Sequence, residues 1–295
     1  MLFFDQESHG LRVEYPDMSF PVRCQNVVLS DIVNNSLLTF WHEDVVLIQN
    51  LTKPVTFRVH TDEIVLEVGD LILINCSQLH SCRCDEADGC LRVFLFHPSL
   101  LRGVAEPAHP FWQRIEDCGL RFVCWRAASR QAQLLRPLME HVQEEASVEG
   151  AKPLELLALA CLTAAFFSEE SAPASNLSPR EKKDANAVRV MLAYIVQHYA
   201  EKLSLDTVAE KGGVSRSKCC KLFGAYVGTT PMDYLSTLRL KIAVSLLNDP
   251  SLSIRMIAER CGFPEQSYFT RLFKARFHDT PGRCRRLTDE AEPSE

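Results

Sequence analysis

Two stretches of this sequence, 49 residues apart, are built to one pattern. The first, 204–215, runs Ser204-Leu205-Asp206-Thr207-Val208-Ala209-Glu210-Lys211-Gly212-Gly213-Val214-Ser215. The second, 253–264, runs Ser253-Ile254-Arg255-Met256-Ile257-Ala258-Glu259-Arg260-Cys261-Gly262-Phe263-Pro264. Each opens on a serine suited to capping a helix N-terminus, followed by one amphipathic turn. Ala209 and Ala258 are small residues where two helices approach closely. Gly213 and Gly262 follow four residues later, where a short turn requires positive φ. Segments 215–224 and 264–274 then supply a second helix to each unit. This is helix-turn-helix spacing, in which the second helix enters the DNA major groove. One such match arises readily by chance in helical proteins; two in one module are far more specific. Between them 231–247 reads as one long helix, with Tyr234, Leu238, Ile242 and Leu246 on a stripe. A rigid connector of this kind is expected to hold the recognition helices about 34 Å apart, one turn of B-DNA.

Charge singles out the same region. Residues 186–287 hold 16 Lys+Arg against 8 Asp+Glu, whereas 1–185 hold 16 against 26 and the tail 288–295 holds 4 acids and no base. A sequence pI near 5.9 therefore conceals a basic module at one end, the balance expected when only that end meets nucleic acid. At 46% hydrophobic and 24% charged residues, the 295-residue chain has ample material for about two globular domains. No run of 18 apolar residues suggests a membrane helix, so no membrane partner is expected. Met1-Leu2-Phe3-Phe4-Asp5 reads as neither a signal nor a transit peptide, which points to the cytoplasm and to free thiols for most of the 12 cysteines.

The first hundred residues read differently. Apolar runs at 27–29, 45–48, 55–59, 64–68, 71–74 and 91–96 are separated by turn signals at Lys53-Pro54, Gly69-Asp70, Asp88-Gly89 and Pro98. Val55, Phe57 and Val59 alternate with polar neighbours, as in a half-buried strand. Short strands at this spacing predict a small antiparallel barrel or sandwich. Helical periodicity follows: Ala132, Leu135, Met139 and Val142 share a stripe. After Pro153, Leu154, Leu157, Ala158, Cys161, Leu162 and Ala165 form one face, which Leu156 and Leu159 broaden, so this helix needs cover on more than one side. Small polar residues and two prolines make 168–184 a linker. The expected division is a domain at 1–170, a linker at 171–184, a helical domain at 185–287 and an acidic tail at 288–295.

At this point the chain resembles the AraC family of bacterial transcription regulators. Tyr234-Leu235, Arg239, Ala243 and Leu246-Leu247 look like that family's connecting helix. Ile257-Ala258, Gly262-Phe263, 267–274 and Thr280-Pro281 look like its second motif. Gly69-Asp70-Leu71-Ile72-Leu73-Ile74-Asn75 followed by His80-Ser81 looks like its cupin sensing domain. The implied fold is α+β and multidomain: an N-terminal cupin-like β-barrel with flanking helices, then an all-α double helix-turn-helix domain. The sequence departs from the pattern at His278, where glycine is usual, at Cys284, Cys219, Lys221 and Gly224.

The resemblance and helix geometry together name the expected DNA-contacting residues: Arg216, Ser217, Cys220 and Lys221 in the first unit, and Gln266, Ser267, Thr270, Arg271 and Lys274 in the second. Arg271 can bridge guanine O6 and N7 or a phosphate, and Gln266 can pair with adenine. Arg283, Arg285 and Arg286 suit phosphates better than bases. Cys219, Leu222, Phe223, Phe269, Leu272 and Phe273 are expected in the core.

The family's metal-binding cupins use His-x-His with a glutamate four residues on. Here Phe40-Trp41-His42 precede Val46, leaving His42 and His80 alone, so neither a metal, a cofactor nor an enzyme is expected. Trp41, His42, Phe57 and His80 are candidates to line a pocket for a small organic effector. Cys76, Cys82, Cys84 and Cys90 raise the alternative of redox or zinc sensing, with Arg83 and Arg92 near enough to lower a thiolate pKa. The resemblance also implies RNA polymerase as a partner, activation more often than repression, and a homodimer formed through the helices at 129–167. Two rivals remain at this stage: a cupin-type enzyme with a DNA-binding appendage, and a regulator controlled by a partner protein.

Overall fold

The computed structural model describes the backbone of residues 2–4, 11–13 and 144, together with residues 15, 17, 19–29, 35–86, 88–101, 120–143, 152–170 and 178–285 in full. The chain forms two compact units, residues 1–186 and 187–295. The stretch 171–177, Arg286 and the acidic tail fall outside the described residues.

In the first unit a short ribbon pairs β1 (Leu2–Phe4) with β2 (Leu11–Val13). A five-stranded antiparallel sheet contains β3 (Val22–Val28), β5 (Val45–Asn50), β8 (Leu71–Ile74), β10 (Cys90–Phe96) and β11 (Phe122–Trp125), in the order β11-β8-β5-β10-β3. A four-stranded sheet contains β4 (Ser36–Phe40), β6 (Val55–Val59), β7 (Asp62–Leu66) and β9 (His80–Arg83), in the order β4-β9-β6-β7. Two helices follow, α1 (Arg130–Glu144) and α2 (Lys152–Glu169).

The layering explains the sequence pattern. Val46, Ile48, Ile72, Ile74, Leu91 and Leu95 of the larger sheet face Val55, Phe57, Val59, Leu66 and Cys82 of the smaller one. The opposite face of the larger sheet, through Val45, Leu47, Leu71, Leu73, Phe94 and Phe96, packs on Ala132, Leu135 and Met139 of α1 and on Leu159 and Ala160 of α2. A sheet covered on both sides has no polar face. Hence β5 and β8 are buried at every position, whereas β6, at the outer layer, alternates as its sequence predicts. The turn into β8 is tied down by Asp70. Its buried carboxylate accepts from Arg126 Nη1 at 2.6 Å and from the Ala127 N–H at 2.8 Å, anchoring the segment that leads into α1.

Helix α2 buries mainly the side on which Leu156 and Leu159 broaden its apolar face. Leu156, Leu159, Ala160, Thr163, Ala164, Phe166 and Phe167 are buried. The stripe through Leu154, Leu157, Ala158, Cys161, Leu162 and Ala165 is only partly covered, and Leu154 is 71% exposed. A helix apolar all round cannot signal which side packs; the two phenylalanines, with the most area to bury, decide it.

Helix α3 (Pro179–Gln197) begins inside the expected linker, making 179–184 helical. The cause is local. Ser178 Oγ accepts from the Glu181 N–H at 3.2 Å, Glu181 Oε2 accepts from the Ser178 N–H at 2.8 Å, and Pro179 occupies the first helical position. The second unit takes the rest of α3 and adds α4 (Leu205–Lys211), α5 (Arg216–Tyr226), α6 (Pro231–Leu247), α7 (Ile254–Arg260) and α8 (Gln266–Phe277). Helix α6 has the predicted bounds, opened by Thr230 as N-cap with Pro231 behind it.

Candidate nucleic-acid interface and ligand cavity

Each repeated sequence folds into a helix, a tight turn and a second helix. Ser204 caps α4 through a capping box with Thr207, and Ser253 caps α7 by accepting from the Met256 N–H. The two turns close with the same hydrogen bonds. Gly213 N–H donates to Glu210 O and Val214 N–H to Ala209 O, at 2.9 and 3.0 Å; Gly262 N–H donates to Glu259 O and Phe263 N–H to Ala258 O, at 3.0 and 2.9 Å. Gly213 and Gly262 sit at φ +62° and +75°, the left-handed region expected of them. At Gly262 space is also decisive, because a Cβ would lie 2.5 Å from the carbonyl oxygen of Ala200. Ala209 and Ala258 are buried where the paired helices meet.

The second helices of the two units carry the candidate contacts. On α5, Cys219, Leu222 and Phe223 are buried, while Arg216, Ser217, Cys220 and Lys221 are exposed. On α8, Phe269 and Phe273 are buried and Leu272 packs partly against the same core, while Gln266, Ser267, Arg271 and Lys274 are exposed and Thr270 is half-buried. Spacings of four place Arg216 beside Cys220, Ser217 beside Lys221, Gln266 beside Thr270 and Lys274, and Ser267 beside Arg271. Arg216 Nε lies 3.1 Å from Asp206 Oδ1 in an exposed pair. The Arg271 guanidinium stands 5.4 Å from the centroid of Tyr268, which restricts where the cation can reach. Tyr268 is an exposed neighbour of the candidate contacts that sequence reasoning passed over.

The connector is braced by one cation. Arg239 of α6 donates through Nε to Tyr199 O at 2.7 Å and through Nη2 to Glu201 O at 2.6 Å, receiving the chain as it leaves α3. Beyond α8, His278 adopts φ +61° and its N–H returns to Lys274 O. That left-handed C-cap is why glycine suits the position.

A cavity of about 400 Å³ opens between the two sheets of the first unit. His42, Phe57 and His80 line it; Trp41 is half-buried and is not among the lining residues. Val46, Gln25 and Ser81 also line it. Gln25 was missed because only the last residues of β3 form an apolar run. The two imidazoles lie edge to face with centroids 5.1 Å apart, and the Phe40 ring packs tilted against His80 at 4.3 Å. Burial pushes His80 down to about 4, and burial together with the neighbouring His80 pushes His42 well below the ordinary histidine range. Both rings are neutral at physiological pH. Behind them, the Tyr15 hydroxyl donates to Asp44 Oδ1, and burial raises the Asp44 carboxyl.

The cysteines close in sequence do not converge. Cys76 joins the helix-side core, whereas Cys82 and Cys84 lie buried between the sheets. Neither arginine is committed to a thiol: Arg83 pairs with Asp85, and Arg92 donates to Asn26 Oδ1 and Gln49 Oε1. Among the described residues no three His, Cys, Asp or Glu side chains gather as a metal site would require. No helix among them is long and apolar enough to cross a membrane.

Paired helix-turn-helix units with exposed basic second helices define a DNA-binding protein of the transcription-regulator class. Comparison with known proteins agrees. Residues 208–287 match the family model described as a helix-turn-helix domain. The uncharacterized HTH-type transcriptional regulator YdeC of Bacillus subtilis strain 168 is 22% identical over 280 residues, 91% of this chain and 92% of that protein. The HTH-type transcriptional activator RhaS of Escherichia coli is 29% identical over 168 residues, covering 56% of this chain and 58% of RhaS. A solved transcriptional regulator of Chromobacterium violaceum, described as an AraC-type DNA-binding domain-containing protein, is 34% identical over 39% of this chain and 97% of its own, with a TM-score of 0.33. The second unit thus carries a helix-turn-helix domain like those of HTH-type transcriptional regulators.

Proposed function

We propose that this regulator binds specific duplex DNA through α5 and α8 and is controlled by a small organic effector held in the cavity of its first unit. The observation that carries the reading is the pair of turns with matching hydrogen bonds, each followed by a helix with exposed polar and basic side chains. Arg216, Ser217, Cys220 and Lys221 lie along one major-groove segment, with Arg216 and Lys221 on its flanking phosphates; Gln266, Ser267, Thr270, Arg271 and Lys274 meet the next, about 34 Å along one face. Arg283 and Arg285 contact phosphates. His42, Phe57 and His80 contact the effector.

The protein acts as a cytoplasmic homodimer without catalytic activity. The partly covered stripe of α2, with exposed Leu154, and exposed Leu134 and Leu138 on α1 support self-association through these helices. A dimer doubles the DNA footprint and raises affinity through effective concentration. The effector shifts the population in which both DNA-binding units engage their half-sites together, and bound protein recruits RNA polymerase as an activator. Domains at 1–170 and 185–287 divide these tasks.

Selection from random duplex DNA at defined salt tests the reading. The expected result is enrichment of two short elements about 10 bp apart. Enrichment of no sequence would falsify it.

A further inference from the structure

The chemistry of the cavity narrows what can occupy it, given the sensing role proposed above. None of the described residues that line it carries a charge; its walls are aliphatic and aromatic apart from the two imidazoles, Gln25, Asn26 and Ser81. The imidazoles present opposite hydrogen-bonding character. His80 Nδ1 lies 2.8 Å from the carbonyl oxygen of Gln78, which can only accept, so the proton of this neutral ring is on Nδ1 and Nε2 holds a lone pair. His42 Nδ1 lies 3.2 Å from the Asp44 N–H and 3.5 Å from Asp44 Oδ2; the closer backbone N–H donates to the Nδ1 lone pair, which places the proton of the neutral ring on Nε2. No described residue bonds either Nε2. One ring therefore offers an acceptor and the other a donor, on imidazoles whose centroids lie 5.1 Å apart.

We infer that the cavity binds an uncharged, mainly apolar molecule carrying a hydroxyl group, which donates to His80 Nε2 and accepts from the His42 Nε2–H. A hydroxyl satisfies both at once through a single atom. A carboxylate or phosphate finds no cation here, and both histidines stay neutral, so its desolvation goes uncompensated. A polyhydroxylated molecule such as a sugar would bury several hydroxyls against Phe57, Ile48 and Leu95 without partners. A pure hydrocarbon leaves the histidine pair unpaired. The volume of about 400 Å³ suits two or three fused or linked rings.

Three matched probes test this on the full-length protein by titration calorimetry at pH 7.5: 4-phenylphenol, biphenyl and biphenyl-4-carboxylate. The phenol is expected to bind roughly tenfold tighter than the hydrocarbon, with the carboxylate weakest. In His80→Phe, checked for folding by circular dichroism, the phenol should drop to the affinity of biphenyl while biphenyl is unchanged. Val93→Trp, which fills the cavity from a half-buried position, should abolish binding of all three. If His80→Phe does not fold, the ranking on the native protein decides. Equal or tighter binding of biphenyl or the carboxylate overturns the hydroxyl inference and leaves the sensing role standing, as does binding that survives Val93→Trp. Tight binding of the phenol with unchanged affinity for DNA supports the inference and overturns the sensing role. Binding of none of the three overturns the inference.

Discussion

The two helix-turn-helix units share a backbone plan and differ in how firmly that plan is held. In the first, Gly213 has no heavy atom within 4 Å of where a Cβ would stand, so its turn needs only a permissive φ. In the second, Gly262 lies against the backbone of Ala200, so its turn is also a packing contact with the chain leaving α3. The order reverses at the start of the second helix. Ser215 caps α5 by accepting from the Lys218 N–H, whereas Glu265 stands at the N-cap of α8 without a side-chain bond to it and receives the Ser267 hydroxyl instead. One motif can thus be stabilised locally, by a cap, or from outside, by a neighbour.

The sharpest way to break this comparison is the glycine pair. Gly262→Ala should cost about 3 kcal/mol or more, because positive φ and a backbone collision combine, while Gly213→Ala should cost only about 1 kcal/mol. Urea denaturation of the two variants checks this; equal losses would show that Ala200 yields. The next effect concerns DNA. Arg271→Ala should relax preference at one base pair by about 2 kcal/mol, since Tyr268 holds the guanidinium in place. Arg216→Ala and Lys221→Ala should instead weaken all sequences alike and each lower the salt slope by about one. Competition binding on single-mismatch duplexes separates the two patterns. Smaller still, Ser215→Ala should lose about 1 kcal/mol while Glu265→Ala leaves stability unchanged. Matched losses in thermal unfolding would mean that the two helix starts are equivalent after all. The least effect is a gain: His278→Gly relieves the left-handed cap of α8 and should add about 0.5 kcal/mol, seen as a higher melting temperature.

Local rules carried far in this chain. The capping serines, the positive-φ glycines and the bounds of α6 are all set by residues within a turn of one another. Strand β6 announced its alternation because one of its faces is less buried than the other. The exposed faces of α5 and α8 were readable for the same reason: the 3.6-residue period separates the buried cysteine, leucine and phenylalanines from the polar face. The cavity was readable only in part. His42, Phe57 and His80 attract notice by residue type, but whether an unusual side chain points inward depends on register, so Trp41 drew the same attention and lies outside the wall.

Composition, charge and spacing by themselves determined that a basic module with two helix-turn-helix units follows a β-rich domain, since these depend on contacts between near neighbours. Tertiary structure alone decided the rest. The side of α2 that packs, the scattering of Cys76 from Cys82 and Cys84, and the opposed tautomers of His42 and His80 are set by groups distant in sequence or by local carbonyl and amide directions in the folded chain. An all-apolar helix has no intrinsic inner side, and a histidine has no preferred proton until the fold supplies a partner.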